Sequence, residues 1–429
     1  MNDLASIRAT FPSEGLFAEK DFLFSPDPFP VDERFAQELE QLGHRLYVFQ
    51  RACNELYQRS AKGKQPAWIA QYLDGGKPPE LIEFSRLKQF RDDVPLVIRP
   101  DLILTEAGYT IAEIDSVPGG IGLTAWLNQS YANLGLEVIG GRDGMLDGFR
   151  ELLSEGGDIV ISEEAATYRP EMNWVAAQLG PDWRVADAES YEPKRGRDVY
   201  RFFELFDLPN LPRISALLDA VRDGAVKITP PIKPFLEEKM WFAFFWMQPL
   251  REFWRRELGE KYFLKLQEVI PFSWPLDPTP LPQHAVIPRL EIHDWREAGR
   301  LSQKERDLLI KVSGFSPLGW GSRGITVGSD VPQTEWQAAI EQALAEFSTR
   351  PRLMQRFHKA RLIDHRYWDN ETGEVKTMRG RVRLCPYYFI RDGKVKLSGA
   401  LATIVPADKK LLHGMRDAIL APTGLAAAK

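Results

Sequence analysis

Apolar residues recur every three or four positions in several parts of the chain, the spacing that places them on one face of an α-helix. The longest such segment, residues 31–59, begins beside Asp32, a favourable N-terminal cap. Before it, residues 1–30 are rich in phenylalanine and proline, which predicts a loosely structured arm. Further helices are predicted at residues 67–73, 81–90, 124–134, 146–153, 171–179, 214–221, 235–258, 333–347 and 409–419.

Other segments have the patterns of strands. Residues 96–104 and 109–114 are short apolar runs interrupted by charges and joined by a turn, so we predict a β-hairpin. Residues 158–161, 183–185 and 198–203 alternate with helical segments, which predicts a small parallel α/β unit. Further strands are predicted at residues 226–229, 308–312, 324–327, 353–357, 379–384, 387–390 and 395–401, and residues 422–429 are predicted to be a frayed tail.

The predicted hairpin carries an arginine and three carboxylates. Because side chains two residues apart in a strand share a face, Arg99 lies beside Asp101, and Glu113 lies beside Asp115. Three carboxylates brought together repel one another unless cations lie between them, and oxygen ligands alone suit Mg²⁺ or Mn²⁺. Mg²⁺ held by a few carboxylates usually shares phosphate ligands, so a nucleotide-phosphate site is predicted. The alternative is that these charges only line the solvated face of a strand.

A second group of residues is a lysine followed by a glycine-rich loop. Lys311 lies near the end of a predicted strand, and residues 314–324 contain four glycines. Glycines let backbone N–H groups approach phosphate oxygens, and a lysine on a strand supplies a fixed positive charge. The loop is not a Walker loop, because the glycine–lysine–serine/threonine ending is missing. The alternative is a tight hairpin loop.

Three further features have ordinary explanations when each is taken alone. Lys239 begins a predicted helix after a proline-rich turn and would be a solvated lysine. Residues 353–357 would be a core strand. Arg379, Arg381 and Arg383 alternate along one strand, where they form either an anion-binding stripe or a solvated face.

Composition limits the function classes. The chain has 429 residues, a formal net charge of −5 and no long basic run, which argues for two or three domains and against a nucleic-acid binder. The longest apolar stretch, residues 240–247, is too short for a bilayer, and no secretory signal is predicted. Two cysteines and six histidines form no disulfide framework or metal motif. We therefore expect a cytoplasmic protein without nucleic-acid or membrane partners.

The order of these pieces resembles the circularly permuted ATP-grasp proteins, a group that includes glutathionylspermidine synthetase-like ligases. In the usual ATP-grasp order, an Arg-x-Asp, Glu-x-Asn and Pro-Gly block comes last. Here the matching block, with Arg-Pro-Asp, Glu-Ile-Asp and Pro-Gly in residues 99–119, precedes Lys239, Lys311 and residues 353–357. The match covers about residues 95–405.

The resemblance implies an α+β / α/β fold, a circularly permuted ATP-grasp fold with an inserted small α/β domain and an N-terminal helical segment. The implied domains are an N-terminal arm with helices at 1–94, a permuted metal-binding part at 95–150, a small α/β substrate-side domain at 151–234, and ATP-grasp lobes with the glycine-rich lid and adenine hinge at 235–429.

The resemblance also implies cofactors and residue roles. ATP and Mg²⁺, or Mn²⁺, would be the cofactors, with Asp101, Glu113 and Asp115 as metal ligands. Arg99 would stabilise charge on the transferred phosphoryl group or acyl phosphate. The other implied roles are phosphate contacts for Lys239 and Lys311, a lid over the phosphates for Gly319, Gly321, Ser322, Arg323 and Gly324, and adenine contacts for Gln355, Arg356 and Phe357. Arg201, Arg381 and Arg383 are further candidates to hold an anionic substrate or the phosphates, and Arg381 and Arg383 join Arg99 as predicted catalytic residues.

Two positions depart from the family pattern. Asp115 stands where the family more often has asparagine, which adds negative charge and bears on metal preference. Residues 355–357 lack the glutamate that is common at the hinge, which bears on ribose contacts.

The implied activity is ATP-dependent formation of an amide or peptide bond. ATP phosphorylates a small-molecule or peptide carboxylate, and an amine attacks the acyl phosphate. The absence of a Ser/His/Asp or Cys/His pattern agrees, since this chemistry needs no side-chain nucleophile. Two alternatives stay open: a kinase-like phosphotransferase on the same fold, and a catalytically degenerate scaffold that binds nucleotide or a partner protein.

Overall fold

The computed structural model describes residues 22–153, 155–319, 321, 323–369, 371–409, 412 and 417–426. Ser322 of the predicted lid therefore lies outside the described residues, as do the first 21 residues of the predicted arm. The predicted helix at 409–419 also falls mostly outside them, but Ile419 begins a strand, so the helix does not extend to that residue.

Most helices begin and end close to the positions predicted from apolar spacing. Asp32 caps the first helix as predicted, because its Oδ1 accepts a hydrogen bond from the Phe35 N–H at 2.7 Å. No helix in the described ranges is both long and apolar enough to cross a membrane. The helices are α1 (Glu33–Ala61), α2 (Ala67–Asp74), α3 (Pro79–Ser85), α4 (Ile121–Asn133), α5 (Gly144–Arg150), α6 (Arg169–Leu179), α7 (Ile214–Arg222), α8 (Met240–Trp246), α9 (Arg251–Val269), α10 (Trp295–Ala298) and α11 (Gln333–Ala345).

The strands include every predicted one and several that the patterns do not indicate. They are β1 (Leu23–Phe24), β2 (Phe29–Val31), β3 (Val97–Thr105), β4 (Gly108–Asp115), β5 (Gly157–Ile161), β6 (Trp183–Asp187), β7 (Val199–Phe202), β8 (Ile228–Thr229), β9 (Ser273–Pro275), β10 (Leu308–Val312), β11 (Ile325–Val327), β12 (Arg352–Arg356), β13 (Leu362–Asp369), β14 (Glu374–Arg391), β15 (Lys394–Pro406) and β16 (Ile419–Leu425).

The prediction of one aromatic helix over residues 235–258 is wrong. The segment begins with a 3₁₀ turn, and α8 then ends before Met247, which is extended. Pro249 follows, and proline lacks the N–H that a continuing helix requires. Within α9, Gly259 has a φ of 71° and interrupts the helical conformation again.

The described parts of the two terminal segments are more ordered than predicted. In the described part of the predicted arm, β1 and β2 each pair in parallel with β16. The predicted tail supplies Pro422–Leu425 to β16 itself, which also pairs with β15. The two predicted strands at 379–384 and 387–390 are one strand, β14, which runs through Pro386 and has an irregularity between Tyr387 and Tyr388.

The chain divides into two compact units. Unit 1 takes its residues from segments 1–47, 95–231 and 360–429, and unit 2 from segments 48–94 and 232–359. Each unit consists of segments that are separated in the sequence, whereas each of the four predicted domains is one continuous segment. Those four domains and the circular permutation stay predictions, while the mixed α and β architecture is confirmed.

Unit 1 contains two sheets. The larger has the strand order β1-β16-β15-β14-β3-β4, with β13 added to β14 and β2 added to β16. The smaller has the order β6-β5-β7-β8, and all its strand pairs are parallel, as predicted for the small α/β unit. Trp126 of α4 and Phe149 of α5 belong to a hydrophobic core that takes residues from both sheets.

Unit 2 is built around an antiparallel sheet of order β11-β10-β12-β9. Leu308, Ile310 and Met354 join one core with Trp336 and Ile340 of α11. Because residues alternate between the faces of a strand, Lys311 of β10 lies on the face that does not carry Leu308 and Ile310.

Candidate functional site

The hairpin of unit 1 has the register that brings its charged residues together. Arg99 of β3 lies opposite Asp115 of β4, and Asp101 lies opposite Glu113. The pairing is irregular between Asp101 and Leu102, where Ala112 is an extra residue on β4. The predicted proximity of the four charged residues is therefore confirmed.

Asp101 lies at the centre of this group. Its Oδ1 is 3.2 Å from Arg99 Nε, and its Oδ2 accepts a hydrogen bond from Arg383 Nη1 at 3.0 Å. Its Oδ1 also accepts a hydrogen bond from Cys385 Sγ at 3.4 Å. Arg383 and Cys385 reach Asp101 because β14 pairs with β3. Asp101 is only 6% exposed, so one buried carboxylate forms ion pairs with two arginines.

Arg99 also contacts the other strand of the hairpin. Its Nη2 donates to Asp115 Oδ2 at 3.0 Å, while Asp115 Oδ1 accepts from the Val117 N–H at 2.8 Å. Arg99 Nη1 donates to the Gly119 carbonyl at 3.5 Å, and the Tyr387 hydroxyl donates to the same carbonyl at 2.8 Å. The Pro-Gly turn after the hairpin is thereby held beside the carboxylates.

The local charge favours a cation. Burial raises the pKa of Asp115, and the neighbouring Glu113 and Asp101 raise it further, against the effect of Arg99. Burial opposes protonation of Arg99, but Asp101 and Asp115 outweigh it and hold the pKa of Arg99 well above its usual range. Because Glu113 and Asp101 raise the pKa of Asp115, a cation placed between these carboxylates would be stabilised.

The carboxylate oxygens of this group suit Mg²⁺ as ligands, but the side chains are not arranged around a common metal position. In the part of the chain that the structure describes, no three carboxylate, cysteine or histidine side chains converge in a metal-binding geometry. Asp101 and Asp115 are instead turned toward Arg99 and Arg383. Divalent cation binding here would require some of these arginine contacts to be exchanged for the cation.

A residue far along the chain supports the turn. The buried Glu171 accepts hydrogen bonds from the Gly120 N–H at 2.7 Å and the Leu123 N–H at 3.4 Å, at the start of α4. A Cβ at Gly119 would lie 2.2 Å from the Tyr168 ring, and Gly120 has a φ of 85°. These two positions therefore require glycine. The patterns along the sequence do not identify Glu171, because it is 51 residues from Gly120.

The other two arginines named for anion binding bond to backbone carbonyls. Arg381 Nη1 donates to the carbonyls of Ala407 and Lys409, the latter at 3.0 Å. Arg201 is fully buried, and its contacts include the Phe203 carbonyl. The side chain of Arg201 is not exposed in this conformation, and its binding of a substrate stays a prediction.

In unit 2, the predicted strand lysine meets the predicted hinge. Lys311 Nζ donates to Gln355 Oε1 at 3.1 Å, and Gln355 Nε2 donates to Ser273 Oγ at 3.1 Å. The three residues lie on the adjacent strands β10, β12 and β9 and are all buried. At the end of the hinge, the N–H groups of Arg356 and Phe357 donate to the Phe272 and Asp307 carbonyls, each at 2.9 Å.

The second predicted lysine meets the glycine-rich loop. Lys239 precedes α8, and its Nζ donates to the Gly319 carbonyl at 2.6 Å. Within this loop, Gly321 has a φ of 63°. A Cβ on Gly324 would lie 2.5 Å from the Leu318 carbonyl oxygen, so the loop is closely folded at this point.

A buried ion pair anchors the base of the loop. Glu238 accepts hydrogen bonds from Lys77 Nζ and Ser313 Oγ. Ser313 in turn accepts from two backbone N–H groups, that of Lys239 on its carbonyl at 2.8 Å and that of Met240 on its hydroxyl at 3.0 Å. Lys77 is 161 residues from Glu238, so no local pattern indicates this support for Lys239.

The predicted residues thus form two groups, each within its own unit. The hairpin cluster of unit 1 consists of Arg99, Asp101, Glu113, Asp115 and Arg383. The lysine cluster of unit 2 consists of Lys239, Lys311, Gln355, the loop that includes Gly319, Gly321, Arg323 and Gly324, and the backbone of Arg356 and Phe357.

No protein-family model matches the sequence, and no curated protein matches it. Among solved structures, a glutathione synthetase-like effector from Globodera pallida, in its apo form, is similar over 94% of this chain and 90% of that chain, with a TM-score of 0.54 and 11% identity. The "Putative gamma-glutamylcysteine synthetase" from Methylobacillus flagellatus KT aligns over 81% of this chain and 85% of that chain, with a TM-score of 0.38 and 10% identity. The likeness to the effector shows a shared overall fold.

Proposed function

We propose that this chain is an ATP- and Mg²⁺-dependent ligase that joins a carboxylate to an amine through an acyl phosphate. The observation that carries the proposal is the hairpin register, which sets Arg99 and Asp101 opposite Asp115 and Glu113. The order of this hairpin and the lysine cluster along the chain supports a circularly permuted ATP-grasp fold. The fold shared with a glutathione synthetase-like effector supports the same class of protein.

The hairpin cluster would supply the metal ligands and part of the phosphate charge balance. Asp101, Glu113 and Asp115 would hold Mg²⁺, which when bound neutralises phosphate oxygens and so assists phosphoryl transfer. Arg99 and Arg383 would then exchange their carboxylate contacts for anionic oxygens of the substrate. Guanidinium groups suit this role because they stay protonated and bind two oxygens side by side.

The lysine cluster would bind the nucleotide. Lys239 and Lys311 would place positive charge on phosphate oxygens, in exchange for contacts such as those to the Gly319 carbonyl and the Gln355 amide. The loop that Lys239 holds would cover the phosphates and exclude water, because an acyl phosphate hydrolyses when water reaches it.

The proposed reaction has two steps. A carboxylate oxygen of the substrate attacks the γ-phosphorus of ATP, and the bond to the bridging oxygen breaks to release ADP. The amine nitrogen then attacks the acyl carbon, the C–N bond forms, phosphate leaves, and the amine proton passes to solvent. No cysteine is needed, and burial raises the pKa of Cys385 to about 12, so this thiol is not a nucleophile near neutral pH.

A second candidate is nucleotide binding without turnover. It is favoured by the arginine contacts that already neutralise Asp101 and Asp115, and by the aspartate at position 115. A kinase-like phosphotransferase would use the same two clusters but leave phosphate on the acceptor.

Calorimetric titration with a non-hydrolysable ATP analogue, in Mg²⁺ and in EDTA, tests the proposal. We expect Mg²⁺-dependent binding that is lost in Asp101→Asn/Glu113→Gln and weakened in Glu113→Gln alone, with thermal unfolding confirming that each variant folds. Asp392→Asn, an exposed aspartate of unit 1, is the matched control. Absence of Mg²⁺-dependent binding by the wild type would overturn the nucleotide site.

Turnover assays then separate the three functions. ADP release that requires both a carboxylate and an amine, with an amide product, is expected for the ligase. Phosphate retained on an acceptor would identify the phosphotransferase. Nucleotide binding with no ADP release across amino acids, peptides and polyamines would favour the scaffold.

A further inference from the structure

Unit 2 contains a cavity that neither the hairpin cluster nor the lysine cluster uses. Its volume is 670 Å³, within the range of small-molecule sites, and it is lined by residues of α8, α9, β9 and the segment 276–296. None of Lys239, Lys311 or Gln355 lines it. The nucleotide-binding role proposed for these three residues therefore does not explain the cavity.

One wall of the cavity is a group of packed aromatic rings. The Phe272 ring centroid lies 4.8 Å from that of Trp246 and 4.7 Å from that of Trp274. Both indole N–H groups are bonded to backbone carbonyls, that of Trp246 to Pro271 at 3.1 Å and that of Trp274 to Pro288 at 2.9 Å. These bonds fix the ring orientations, so the wall is preformed.

An arginine is held over these rings. Arg289 Cζ lies 4.1 Å from the Phe272 centroid and 5.1 Å from the Trp246 centroid. Its backbone is in the left-handed region, with a φ of 67°, and the turn is closed by the Ile287 N–H donating to the Ile292 carbonyl at 2.8 Å. Residues other than glycine seldom adopt this conformation, which is typical of functional positions when the surroundings enforce it.

The positive charge of Arg289 is not neutralised by its described neighbours. Among the residues that the structure describes, no carboxylate contacts its exposed side chain. The lining carboxylates have other partners: Asp277 accepts from the Tyr72 hydroxyl, and Asp294 accepts from the Arg296 N–H at 2.7 Å. Stacking on a ring leaves the in-plane N–H groups of a guanidinium available, and they suit an anion.

We propose that this cavity binds a small aromatic anion, whose ring packs against the aromatic wall and whose anionic group pairs with Arg289. The aromatic wall is the reason for proposing a ligand with an aromatic ring. The guanidinium of Arg289, which no described carboxylate contacts, is the reason for proposing an anionic group. Ser273 links the cavity to the lysine cluster, because it lines the cavity and accepts a hydrogen bond from Gln355 Nε2. The site uses different side chains from those proposed for ATP and does not depend on the ligase proposal.

Naphthoate is the probe for this site, measured by calorimetry and by quenching of tryptophan fluorescence. We expect one naphthoate to bind per chain and neutral naphthylmethanol to bind about tenfold more weakly. Arg289→Gln is expected to weaken naphthoate about tenfold and to leave naphthylmethanol nearly unchanged. Arg289→Lys, which keeps the charge, should retain part of the affinity.

The matched control is Arg256→Gln. Arg256 also lies over a ring, with its Cζ 5.5 Å from the Phe253 centroid, but it pairs with Glu257 and does not line the cavity. Its substitution should not change naphthoate binding. Thermal unfolding of each variant separates loss of binding from loss of folding.

Three outcomes would overturn the proposal. Equal affinity for naphthoate and naphthylmethanol would mean that the anionic group does not contribute to binding. A loss of naphthoate affinity in Arg256→Gln as large as that in Arg289→Gln would mean that Arg289 has no specific role. Displacement of naphthoate by a non-hydrolysable ATP analogue in direct competition would mean that the probe occupies the nucleotide site instead.

Discussion

The hairpin cluster of unit 1 and Lys233 of unit 2 hold buried positive charge in different ways. In unit 1, Arg99 and Arg383 share the carboxylate of Asp101, so charge meets charge. In unit 2, Lys233 donates to the Asn54 side chain at 2.9 Å and to two backbone carbonyls. Arginine matches carboxylate geometry and stays protonated, whereas lysine is a point charge whose pKa shifts readily on burial. The arginines of the hairpin cluster therefore keep their charge, whereas the charge of Lys233 can change with pH.

The largest effect is expected at a buried ion pair of unit 2, between Lys77 and Glu238. Lys77→Met leaves Glu238 charged where both side chains are 1% exposed, so the free energy of unfolding should fall by about 3–5 kcal/mol in urea denaturation. Lys77→Met/Glu238→Gln removes both charges and should recover most of this loss. Lys265→Met, in an exposed pair with Glu268, is the control and should change little. A double variant as unstable as the single one would contradict the buried-pair explanation.

The next effect concerns the shared carboxylate of unit 1. Asp101→Asn leaves Arg99 and Arg383 with less counter-charge, so the free energy of unfolding should fall by about 2–3 kcal/mol. Asp392→Asn, at a carboxylate that is 90% exposed, is the control for the same measurement. Equal free energies of unfolding for the two variants would mean that the charge of Asp101 does not stabilise the folded protein through the two arginines.

A smaller effect is expected from a lysine that serves binding. Lys239→Met should weaken the affinity for the non-hydrolysable ATP analogue about 30-fold, equivalent to about 2 kcal/mol, because it removes a positive charge from the phosphates. The half-buried Lys239 should contribute little to stability, so the urea midpoint should stay close to that of the wild type. Unchanged affinity in calorimetry would remove Lys239 from the proposed nucleotide site.

The smallest effect, counted per pH unit, is the pH dependence that Lys233 of unit 2 contributes. Burial lowers the pKa of Lys233 from 10.5 to about 8, although Asp93 and Asp92 oppose this shift. Between these values the unfolded chain holds the proton and the folded chain releases it, so this residue makes the free energy of unfolding rise with pH. The slope is less than about 1.4 kcal/mol per pH unit. Below pH 8 both states are protonated, and the burial cost is present in full.

The comparison of wild type with Lys233→Met isolates this contribution. Urea denaturation at several pH values from 7 to about 10.5 should give a less positive slope for the variant. The buried arginines of unit 1 should add no slope there, because arginine does not titrate in this range. Parallel curves for the two proteins would mean that Lys233 keeps its ordinary pKa.

The parts of the fold that were predicted correctly depend on local signals. Asp32 and the apolar spacing after it define α1, and two alternating segments define the hairpin. Two of the strands that were not predicted have non-local causes. β13 is mostly exposed or half-buried and forms by pairing with β14, while β16 forms by pairing with β15, β1 and β2.

The candidate site divides in the same way. Arg99, Asp101, Glu113 and Asp115 lie within one hairpin, so the period of a strand is enough to bring them together. The supports of the site are distant: Arg383 is 282 residues from Asp101, and Lys77 is 161 residues from Glu238. A single sequence contains no signal for such pairs. The structure defines the neighbours of the site residues, and the roles of these residues stay predictions.

The segmented composition of unit 1 bears on how the chain is made. β3 and β4 leave the ribosome early, but β14, the other neighbour of β3, comes from the last segment of the chain. The last segment of unit 2 ends at Lys359, so all of its residues emerge before β14 does. During that interval the edge of β3 lacks its partner, and unpaired strand edges are sites of aggregation. Nascent chains stalled before β14 should therefore depend on chaperones more than completed ones.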